Sequence, residues 1–381
     1  MDSLPKVVAA ERPVFDAHAD SLQMALDLGC DLGQRGPGHL DLVRAEQGGL
    51  GALVFVSWCD PKWIEVGEHG ARDRTRALLR EFHRLVERHP GRLAFAGNAA
   101  ELAAARARGQ LAGIPGIEGG HSIEGSLDEL ERFFAQGVRV MTLVWNNHLA
   151  WIRSCQDGAG AGVPEGLNAF GRSVVRHMNE LGMVVDLSHA GRKSFFDALE
   201  CSSQPVIASH SGCMAVNAHQ RNLDDEQLRA LADHGGVVGI VFCTPFLDAQ
   251  ARDEDARVRA SEEFKALRGA NDTATFVAQS EYLQRTARPL PLERVLDHLC
   301  HAVEVAGIDH VGLGSDYDGI QRTPRGLEDA SCYPALAQGL RSRGFGPEDV
   351  LKVLGRNMER VFGRVTGPGS VASRAALEAL A

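Results

Sequence analysis

Residues 167–189 read LNAFGRSVVRHMNELGMVVDLSH and show a helical pattern followed by a strand pattern. Its first part, 167–181, places apolar residues on one stripe, which predicts an amphipathic helix. A short, mainly apolar run, 183–187, follows a glycine and predicts a strand buried on both faces, as in a parallel sheet. Ser188 and His189 come next, so polar side chains follow directly on an apolar strand.

The same alternation runs along the rest of the chain. Further strands are predicted at Val14–Ala17, Gly51–Ser57, Gly113–Ile117, Val138–Val144, Pro205–Ser209, Gly236–Phe242 and His310–Gly314, with a possible extra one at Leu93–Ala96. Helical patterns lie between them at Ala71–His89, Leu223–Asp233 (with Asn222 as its N-cap), Leu292–Val305 and Glu348–Phe362. Eight strands alternating with helices predict an α/β fold, a (β/α)8 TIM barrel. A doubly wound sheet is the competing arrangement, although no GxGxxG follows the first strand.

Length and composition bound the possible classes of protein. We predict one barrel domain over 1–381, a length that α/β barrels accommodate. Residues 246–288 are highly charged and then helical in pattern, which predicts a helical insertion between the seventh and eighth strands. A composition of 44% hydrophobic and 24% charged residues excludes a disordered or fibrous chain. The formal net charge of −10 argues against a nucleic-acid partner, because no basic field is available to replace counterions.

The ends of the chain bear on its location. No stretch approaches the roughly 18 to 20 apolar residues of a membrane span, so no membrane partner is expected. Residues 1–13 lack the continuous apolar core of a secretory signal, and residues 370–381 predict a charged helical tail rather than an anchor signal. We therefore expect a cytoplasmic protein whose eight cysteines, with no CxxC pair, are mostly free buried thiols.

The first predicted strand leads into FDAHAD, residues 15–20. Side chains alternate along a strand, so His18 and Asp20 point to the same side. In barrels of this kind, the chemistry is built at the C-terminal ends of the strands. An imidazole and a carboxylate at that position could ligate a metal, although a single histidine more often satisfies a local hydrogen bond.

Three more strands end in similar side chains. Glu118 follows the third strand, where a buried carboxylate needs a partner or a metal, whereas a solvated one would mark a surface turn. His189 and His210 end the fifth and sixth strands, each after a serine. Three imidazoles and two carboxylates at one face predict a metal centre that suits zinc first, with Mn, Co or Fe as alternatives. Five ligands exceed the need of one catalytic zinc, so we predict two ions with Glu118 as the bridge.

The last predicted strand ends in a further acidic residue, Asp316, which follows an apolar run. A carboxylate beside a metal-bound water is suited to accept a proton and then deliver it. We therefore predict that Asp316 is catalytic. Asp318, two residues further on, is interpreted as a turn residue or a support for the site.

Taken together, these motifs resemble those of the renal, or membrane, dipeptidases of the metallo-amidohydrolase superfamily. The resemblance runs over nearly the whole chain and rests on five motifs in order: FDAHAD (15–20), GIEGGHSIEG (116–125), DLSHAG (186–191), ASHSG (208–212) and GLGSDYDGI (312–320).

The resemblance implies a (β/α)8 barrel of the metallo-dependent hydrolase type with two zinc ions. His18 and Asp20 would bind one ion and His189 and His210 the other, with Glu118 between them. It also implies a homodimer that hydrolyses dipeptides, often with a D-residue at the C-terminal position, by attack of a metal-bridging hydroxide.

The resemblance further implies that Arg221 holds the terminal carboxylate of the substrate. A guanidinium fork matches a carboxylate bidentately, which agrees with that role. A surface arginine near a helix start is the alternative interpretation of Arg221.

One position departs from the animal enzymes, in which a histidine after the fourth strand polarises the scissile carbonyl. The matching position here is Trp145, in the sequence Trp145-Asn146-Asn147-His148. His148 could supply the missing function, Asn146 could substitute for it, or the metal could act alone. We take His148 as the catalytic candidate and Trp145 as a substrate-binding residue.

Two other functions stay open at this point. With Trp58, Trp145 could line a pocket for N-acyl amino acids, cyclic amides or lactones, which sibling amidohydrolases cleave. A non-catalytic metal-binding scaffold is the remaining alternative, which the complete set of predicted ligands makes less attractive.

Overall fold

The computed structural model describes residue 8 and residues 11–367 of the chain. The predicted tail at 370–381 and most of the segment 1–13 lie outside the described residues. Within the described part, all eight cysteines are free, as predicted. Only Cys59 and Cys213 are buried, and the other six are partly exposed, so the prediction that most are buried is wrong. No described helix combines the length and the apolar character that a membrane crossing requires.

The described residues form nine parallel strands. They are β1 (Val14–Ala19), β2 (Leu50–Trp58), β3 (Leu93–Phe95), β4 (Leu111–Glu118), β5 (Val140–Thr142), β6 (Val184–Asp186), β7 (Ile207–Ser211), β8 (Val237–Ile240) and β9 (Val311–Leu313). Eight of them close into a barrel, because β1 pairs with both β2 and β9 and β2 pairs with β4. The predicted TIM barrel is therefore confirmed, and the doubly wound alternative is excluded.

The short run at 93–96 forms the ninth strand, β3. It pairs with the first half of β4, through Leu93 with Leu111 and Phe95 with Gly113, while β5 pairs with the second half of β4. The barrel wall therefore needs only eight strands, and β3 widens the sheet at one end.

Helices surround the strands. They are α1 (Leu22–Leu28), α2 (Leu42–Gly48), α3 (Gly70–Arg88), α4 (Ala99–Ala107), α5 (Leu127–Ala135), α6 (Ala169–Leu181), α7 (Arg192–Cys201), α8 (Asp225–Asp233), α9 (Thr244–Leu247), α10 (Ala249–Arg259), α11 (Glu262–Ala266), α12 (Asp272–Thr286), α13 (Glu293–Ala306), α14 (Tyr333–Ser342), α15 (Pro347–Leu351) and α16 (Asn357–Thr366).

The N-cap predicted for α8 is wrong by two residues. Asp224 caps the helix, because its side chain accepts from the backbone N–H of Gln227 and the Gln227 side chain accepts from the backbone N–H of Asp224. Asn222 instead accepts from the backbone N–H of Gly212, which fixes the loop after β7. The helix therefore starts later than predicted.

The helix predicted over 348–362 is interrupted. A π-helical turn over Lys352–Arg356 separates α15 from α16. At its centre, a Cβ on Gly355 would lie 2.2 Å from the carbonyl oxygen of Pro13. The glycine thus permits close approach of this turn to the start of β1, which a regular helical pattern does not predict.

The segment between β8 and α13 contains α9 to α12. A small apolar cluster of its own includes Val258, Phe264 and Leu283. The start of α12 is tied to α1, since Asn271 Nδ2 donates to the backbone carbonyl of Asp27 (2.9 Å) and Thr273 Oγ1 donates to its carboxylate (2.6 Å). The start of α12 therefore lies beside α1 at the cavity that opens at the barrel mouth.

Candidate metal centre and substrate cavity

A cavity of about 590 Å³ opens at the C-terminal ends of the barrel strands. Polar side chains from several strand ends line it, among them Asp20, Glu118, His189, His210 and Asp316. Because the carboxyl ends of parallel strands meet at one edge, residues far apart in sequence come together there. The predicted convergence of these side chains is what the closed barrel produces.

Glu118, the last residue of β4, lies between two pairs of side chains. Its Oε2 atom is 3.7 Å from His18 Nε2, which is in turn 3.5 Å from an Asp20 carboxylate oxygen. Its Oε1 atom is 2.9 Å from His189 Nε2 and 3.3 Å from His210 Nε2. Each carboxylate oxygen thus faces a different pair, which is the arrangement of a carboxylate shared by two cation sites.

Unpartnered atoms test whether this cluster fits a metal. His18 Nε2 and Asp20 Oδ1 are buried and have no hydrogen-bond partner among the described residues. The Nε2 atoms of His189 and His210 lie only 2.9 Å apart. Buried polar atoms normally have partners, and this donor set of nitrogens and oxygens is one that zinc and related divalent cations accept. The residues therefore fit a metal centre.

The pKa shifts of the cluster also favour metal binding. Burial lowers the pKa of His189 to about 4, with Arg221 adding to the effect, and burial also lowers the pKa of His210 well below its usual range. Burial alone would raise the pKa of Glu118, but the charge of His18 and contacts from the histidines lower it well below the ordinary value. Two neutral imidazoles and an ionised carboxylate are the protonation states that metal ligation requires.

The protonation of His18 depends on its acidic neighbours. Burial disfavours a charged imidazole, yet the carboxylates of Glu118 and Asp20 outweigh it and raise the pKa of His18 well above its usual value. Burial raises the pKa of Asp20 to about 6. This half of the cluster therefore attracts positive charge.

A buried hydrogen-bond network fixes the imidazole orientations. Ser209 Oγ contacts both His210 Nδ1 (2.8 Å) and His18 Nδ1 (3.3 Å). Its own hydroxyl donates to Asp186 Oδ2 at 2.6 Å. With that proton committed, Ser209 accepts from both rings, which leaves the two Nε2 atoms free to ligate.

Asp186 is buried beside the cluster and could be mistaken for a ligand, since one candidate metal group combines it with His18 and His210. Both of its oxygens already have partners. Oδ1 accepts from the backbone N–H groups of Ser188 (3.0 Å) and Ser209 (2.8 Å), and Oδ2 accepts from Thr142 and Ser209. Asp186 therefore supports the ligands rather than joining them.

Asp16 has the same role on the other side of the barrel. Its carboxylate accepts from the Ser315 backbone (2.8 Å) and hydroxyl (2.5 Å), from the His18 backbone and from the Tyr333 hydroxyl. Sequence reasoning missed both Asp16 and Asp186. The available signal was an ionisable residue within an otherwise apolar, doubly buried strand.

Asp316 lines the cavity after β9, and its φ angle of 61° lies in the left-handed region. Burial, together with the nearby Asp20 and Glu118 carboxylates, raises the pKa of Asp316 well above its ordinary value. A Cβ on Gly319 would lie 2.3 Å from both Asp316 Oδ1 and Asp20 Oδ2. Only glycine leaves room for the two carboxylates. Asp318 accepts from Ser21 and from the His39 backbone, which agrees with its predicted supporting role.

Arg221 is buried at the same cavity and is 3% exposed. One of its terminal nitrogens donates to the His210 carbonyl at 2.9 Å, and its guanidinium lies 5.3 Å from the centre of the Phe246 ring. Its Nε has no partner among the described residues. A buried guanidinium with an unused donor fits the capture of an anionic group. The interpretation of Arg221 as a surface residue is therefore wrong.

The structure separates the two candidates in the segment after β5. Trp145 lines the cavity, with its ring centre 5.2 Å from that of Trp58 and 6.2 Å from that of His189. His148 does not line the cavity. Its Nδ1 atom accepts from the Ser154 backbone at 3.2 Å, and its Nε2 atom lies near the Asp157 carbonyl. The fold thus directs His148 toward its own loop and not toward the metal cluster.

The chain is similar to proteins that are named as dipeptidases. A protein of Schizosaccharomyces pombe, named as an uncharacterised dipeptidase, is 31% identical over 332 residues, covering 85% of this chain and 71% of that protein. The crystal structure of a metallopeptidase named dipeptidase AC has a TM-score of 0.77 and 28% identity over 93% of this chain and 99% of that one.

A second solved structure carries a bound ligand. It is a metallopeptidase from Rhodobacter sphaeroides liganded with a phosphinate mimic of the dipeptide L-Ala-D-Ala, with a TM-score of 0.76 and 28% identity over 93% of this chain and 99% of that one. The sequence also matches the family described as membrane dipeptidase, peptidase family M19, over residues 5–373. The chain therefore belongs to the membrane dipeptidase family, peptidase family M19, and is an enzyme of the metallopeptidase class.

Proposed function

We propose that this protein is a two-metal dipeptidase that cleaves dipeptides with a free C-terminal carboxylate and accepts a D-residue at that position. The observation that carries the proposal is the position of Glu118. Its two carboxylate oxygens face His18 with Asp20 on one side and His189 with His210 on the other.

His18 and Asp20 would hold one cation and His189 and His210 the other, with Glu118 available to both. Zinc suits these ligands first, with Mn, Co or Fe as alternatives. When bound, such a pair lowers the pKa of a coordinated water and polarises a carbonyl oxygen.

The proton transfers are assigned to Asp316. Its carboxylate lines the cavity beside the ligand cluster and has no hydrogen bond to a described side chain that would hold it elsewhere. The carboxylate accepts a proton from the attacking water and delivers it to the nitrogen of the departing amine. One group can perform both transfers, because the proton it gains in the first is the one it gives in the second.

Arg221 is assigned the selection of dipeptides over longer peptides, through the guanidinium donors that remain free. A carboxylate one residue from the scissile bond reaches this group, whereas a longer peptide presents an uncharged amide there. The Rhodobacter sphaeroides relative is bound to a mimic of L-Ala-D-Ala, which supports acceptance of a D-residue here.

A panel of substrates on zinc-loaded protein tests the proposal. It contains L-Xaa-L-Xaa and L-Xaa-D-Xaa dipeptides, the same dipeptides with C-terminal amides, N-acyl amino acids, cyclic amides and lactones. We expect hydrolysis of free dipeptides of both stereochemical series. Preferred cleavage of N-acyl amino acids, cyclic amides or lactones would replace the dipeptidase assignment with the sibling activity.

The assignment of Arg221 is tested within the same panel by Arg221→Met. We expect kcat/KM for free dipeptides to fall by about 10²-fold or more, the scale of a lost buried charge pair. Cleavage of the amidated dipeptides should already be poor in the wild type and should not fall further in the variant. An equal loss on both series would mean that Arg221 serves the fold rather than the carboxylate.

A further inference from the structure

Asn146 follows β5 and carries a side chain whose oxygen is used twice. Its Oδ1 atom lies 2.9 Å from His189 Nδ1 and accepts from Gln156 Nε2, also at 2.9 Å. Gln156 Oε1 in turn accepts from Gln220 Nε2 at 2.6 Å. Three amides therefore run in series from the loop that carries Arg221 to the ring of His189.

The direction of this series is determined by His189. Its Nε2 atom faces Glu118 and His210, where the proposed cation would bind, and a ring that ligates through Nε2 carries its proton on Nδ1 and donates it to Asn146. Reversing the Asn146 amide would place an N–H donor against two other donors. The orientation of the amide is thus set by its neighbours, and its oxygen cannot exchange places with its nitrogen.

In this orientation, the amide nitrogen of Asn146 takes part in none of these hydrogen bonds. It makes no hydrogen bond to any residue within the described ranges, and Asn146 lines the same cavity as Glu118, Arg221 and Asp316. A fixed donor with two unused N–H groups therefore borders the space where the substrate would lie. Neither feature is explained by packing, since the side chain is only half-buried.

We propose that Asn146 is a catalytic residue whose Nδ2 donates a hydrogen bond to the carbonyl oxygen of the scissile bond, and that Gln156 is the residue that positions it. This rests on the proposed dipeptidase function. Negative charge grows on that oxygen as the carbonyl is attacked, and a pre-oriented donor in a water-poor cavity stabilises it most at the transition state. The fold thereby supplies, from Asn146, a function for which His148 is badly placed.

Two variants distinguish the proposed hydrogen bond from Asn146 Nδ2 to the substrate from the contact of Asn146 Oδ1 with His189. Asn146→Asp keeps an oxygen for His189 and Gln156 but loses the N–H donor, whereas Asn146→Ala loses both. We expect kcat to fall by about 10²–10³-fold in each, the scale of a lost oxyanion donor, with KM nearly unchanged. Asn147→Ala is the matched control, because Asn147 is the next residue and does not line the cavity. Zinc content should stay at the wild-type level in Asn146→Asp and in the control.

Affinity for a phosphinate dipeptide mimic provides a readout that needs no turnover. Its tetrahedral phosphorus carries charged oxygens that resemble the transition state, so Asn146→Asp should weaken its binding by about the same factor as kcat. Binding of a dipeptide amide, which is cleaved poorly, should change little. Gln156→Leu should show a smaller loss of the same kind, since Asn146 then loses one of its two anchors.

The outcomes are distinct. Near wild-type kcat and phosphinate affinity in Asn146→Asp would overturn the proposal and leave Asn146 as a support for His189. A loss that appears equally in KM and in binding of the dipeptide amide would overturn it as well. Failure of the wild type to cleave any dipeptide would instead sink the proposed function, and the phosphinate affinities would still decide the role of Asn146.

Discussion

At the scale of single residues, two members of the site hold backbone conformations that side chains disfavour. His189 and Asp316 have φ angles of 66° and 61°, in the left-handed region. Such residues cost of order 1 kcal/mol or more each and persist where the surrounding contacts over-determine them. Each lies just after a strand end, where the turn carries its side chain back over the barrel mouth. Among the described residues, Arg12, Glu124 and Asp318 also have positive φ, so this strain includes the site without being confined to it.

The role of Asp316 leads to a direct prediction. Asp316→Asn keeps the shape of the side chain but removes its ability to accept a proton, so kcat should fall by about 10²–10⁴-fold. Zinc content should remain at the wild-type level, as measured by metal analysis. Asp272→Asn, at the exposed rim of the same cavity, is the control and should leave kcat unchanged. Wild-type turnover in Asp316→Asn would remove this residue from the mechanism.

At the scale of secondary structure elements, β6 and β7 are joined through a carboxylate as well as through the barrel. Asp186, at the end of β6, accepts from the backbone and hydroxyl of Ser209 in β7. Ser209 in turn contacts His18 of β1 and His210 of β7. One buried chain of hydrogen bonds therefore sets the distances among three strands and the orientation of two predicted ligands.

Replacing Asp186 with alanine should break this chain. Its donors would be left buried without partners, so the free energy of unfolding should fall by about 2–3 kcal/mol or more. Zinc affinity should fall about 10- to 100-fold, as is typical when support for a ligating histidine is lost.

Asp197→Ala is the control for Asp186→Ala, because Asp197 is also a buried carboxylate but is bound to Arg172 and Lys193 away from the site. Urea unfolding and competitive zinc titration measure the two quantities. Equal zinc affinity in the two variants would show that Asp186 contributes only to folding.

The packing of α13 predicts that the free energy of unfolding depends on pH. His298 of α13 is fully buried, accepts from the backbone N–H of Cys213 (2.9 Å) and contacts the Leu247 carbonyl (3.1 Å). Burial lowers the pKa of His298 to about 4. In the unfolded chain, His298 binds a proton near the usual pKa of about 6.5. The stability that the neutral, buried ring contributes is therefore fully present above pH 6.5 and is lost as the pH falls toward 4.

The size of this effect is up to about 3 kcal/mol between pH 6.5 and 4. His298→Leu should be less stable than the wild type at pH 7.5 but should show a flatter decline of unfolding free energy toward acid. Urea unfolding at a series of pH values and one zinc concentration measures both slopes. Parallel pH profiles would mean that His298 is not held neutral by the fold.

Sequence reasoning succeeded for these elements where burial alone decides the pattern. The eight barrel strands are apolar because both faces are covered, and that signal is local. The π-helical turn at 352–356 depends on the close approach of Gly355 to the start of β1, which a helical pattern does not predict. The capping box of Asp224 and Gln227 is local, and Asn222 was the wrong choice of N-cap because its side chain is bound to the loop after β7 instead.

The site divides in the same way. Metal-ligand residue types at strand ends identified the cluster around Glu118, because the barrel brings those ends together. The support from Asp16 and Asp186 requires knowing which strands are neighbours. The orientation of Asn146 depends on the chain of amides through Gln156, which only the folded structure reveals.

At the scale of the whole molecule, closure of the barrel and assembly of the site are one event. His18, Glu118 and His210 belong to β1, β4 and β7, and β1 completes the ring by pairing with β2 and β9. A cation held by these residues ties distant strands together in the folded state alone, so it should stabilise the protein by mass action.

Removal of metal should therefore lower the thermal midpoint. Zinc at 100 times its Kd stabilises a protein by about 2.7 kcal/mol if it binds only the folded state. Scanning calorimetry with a chelator and with added zinc measures the difference in thermal midpoint. In Glu118→Gln, most of this zinc-dependent difference should be lost. A thermal midpoint that does not respond to zinc would show that no cation binds at the barrel mouth.

We propose that Glu118 is shared by two cations, and diffraction from crystals of zinc-loaded protein, recorded on either side of the zinc absorption edge, shows whether it is. We predict two anomalous peaks per chain, one between Glu118, His18 and Asp20 and the other between Glu118, His189 and His210. A single peak, or peaks that lie away from the Glu118 carboxylate, would show that Glu118 is not shared.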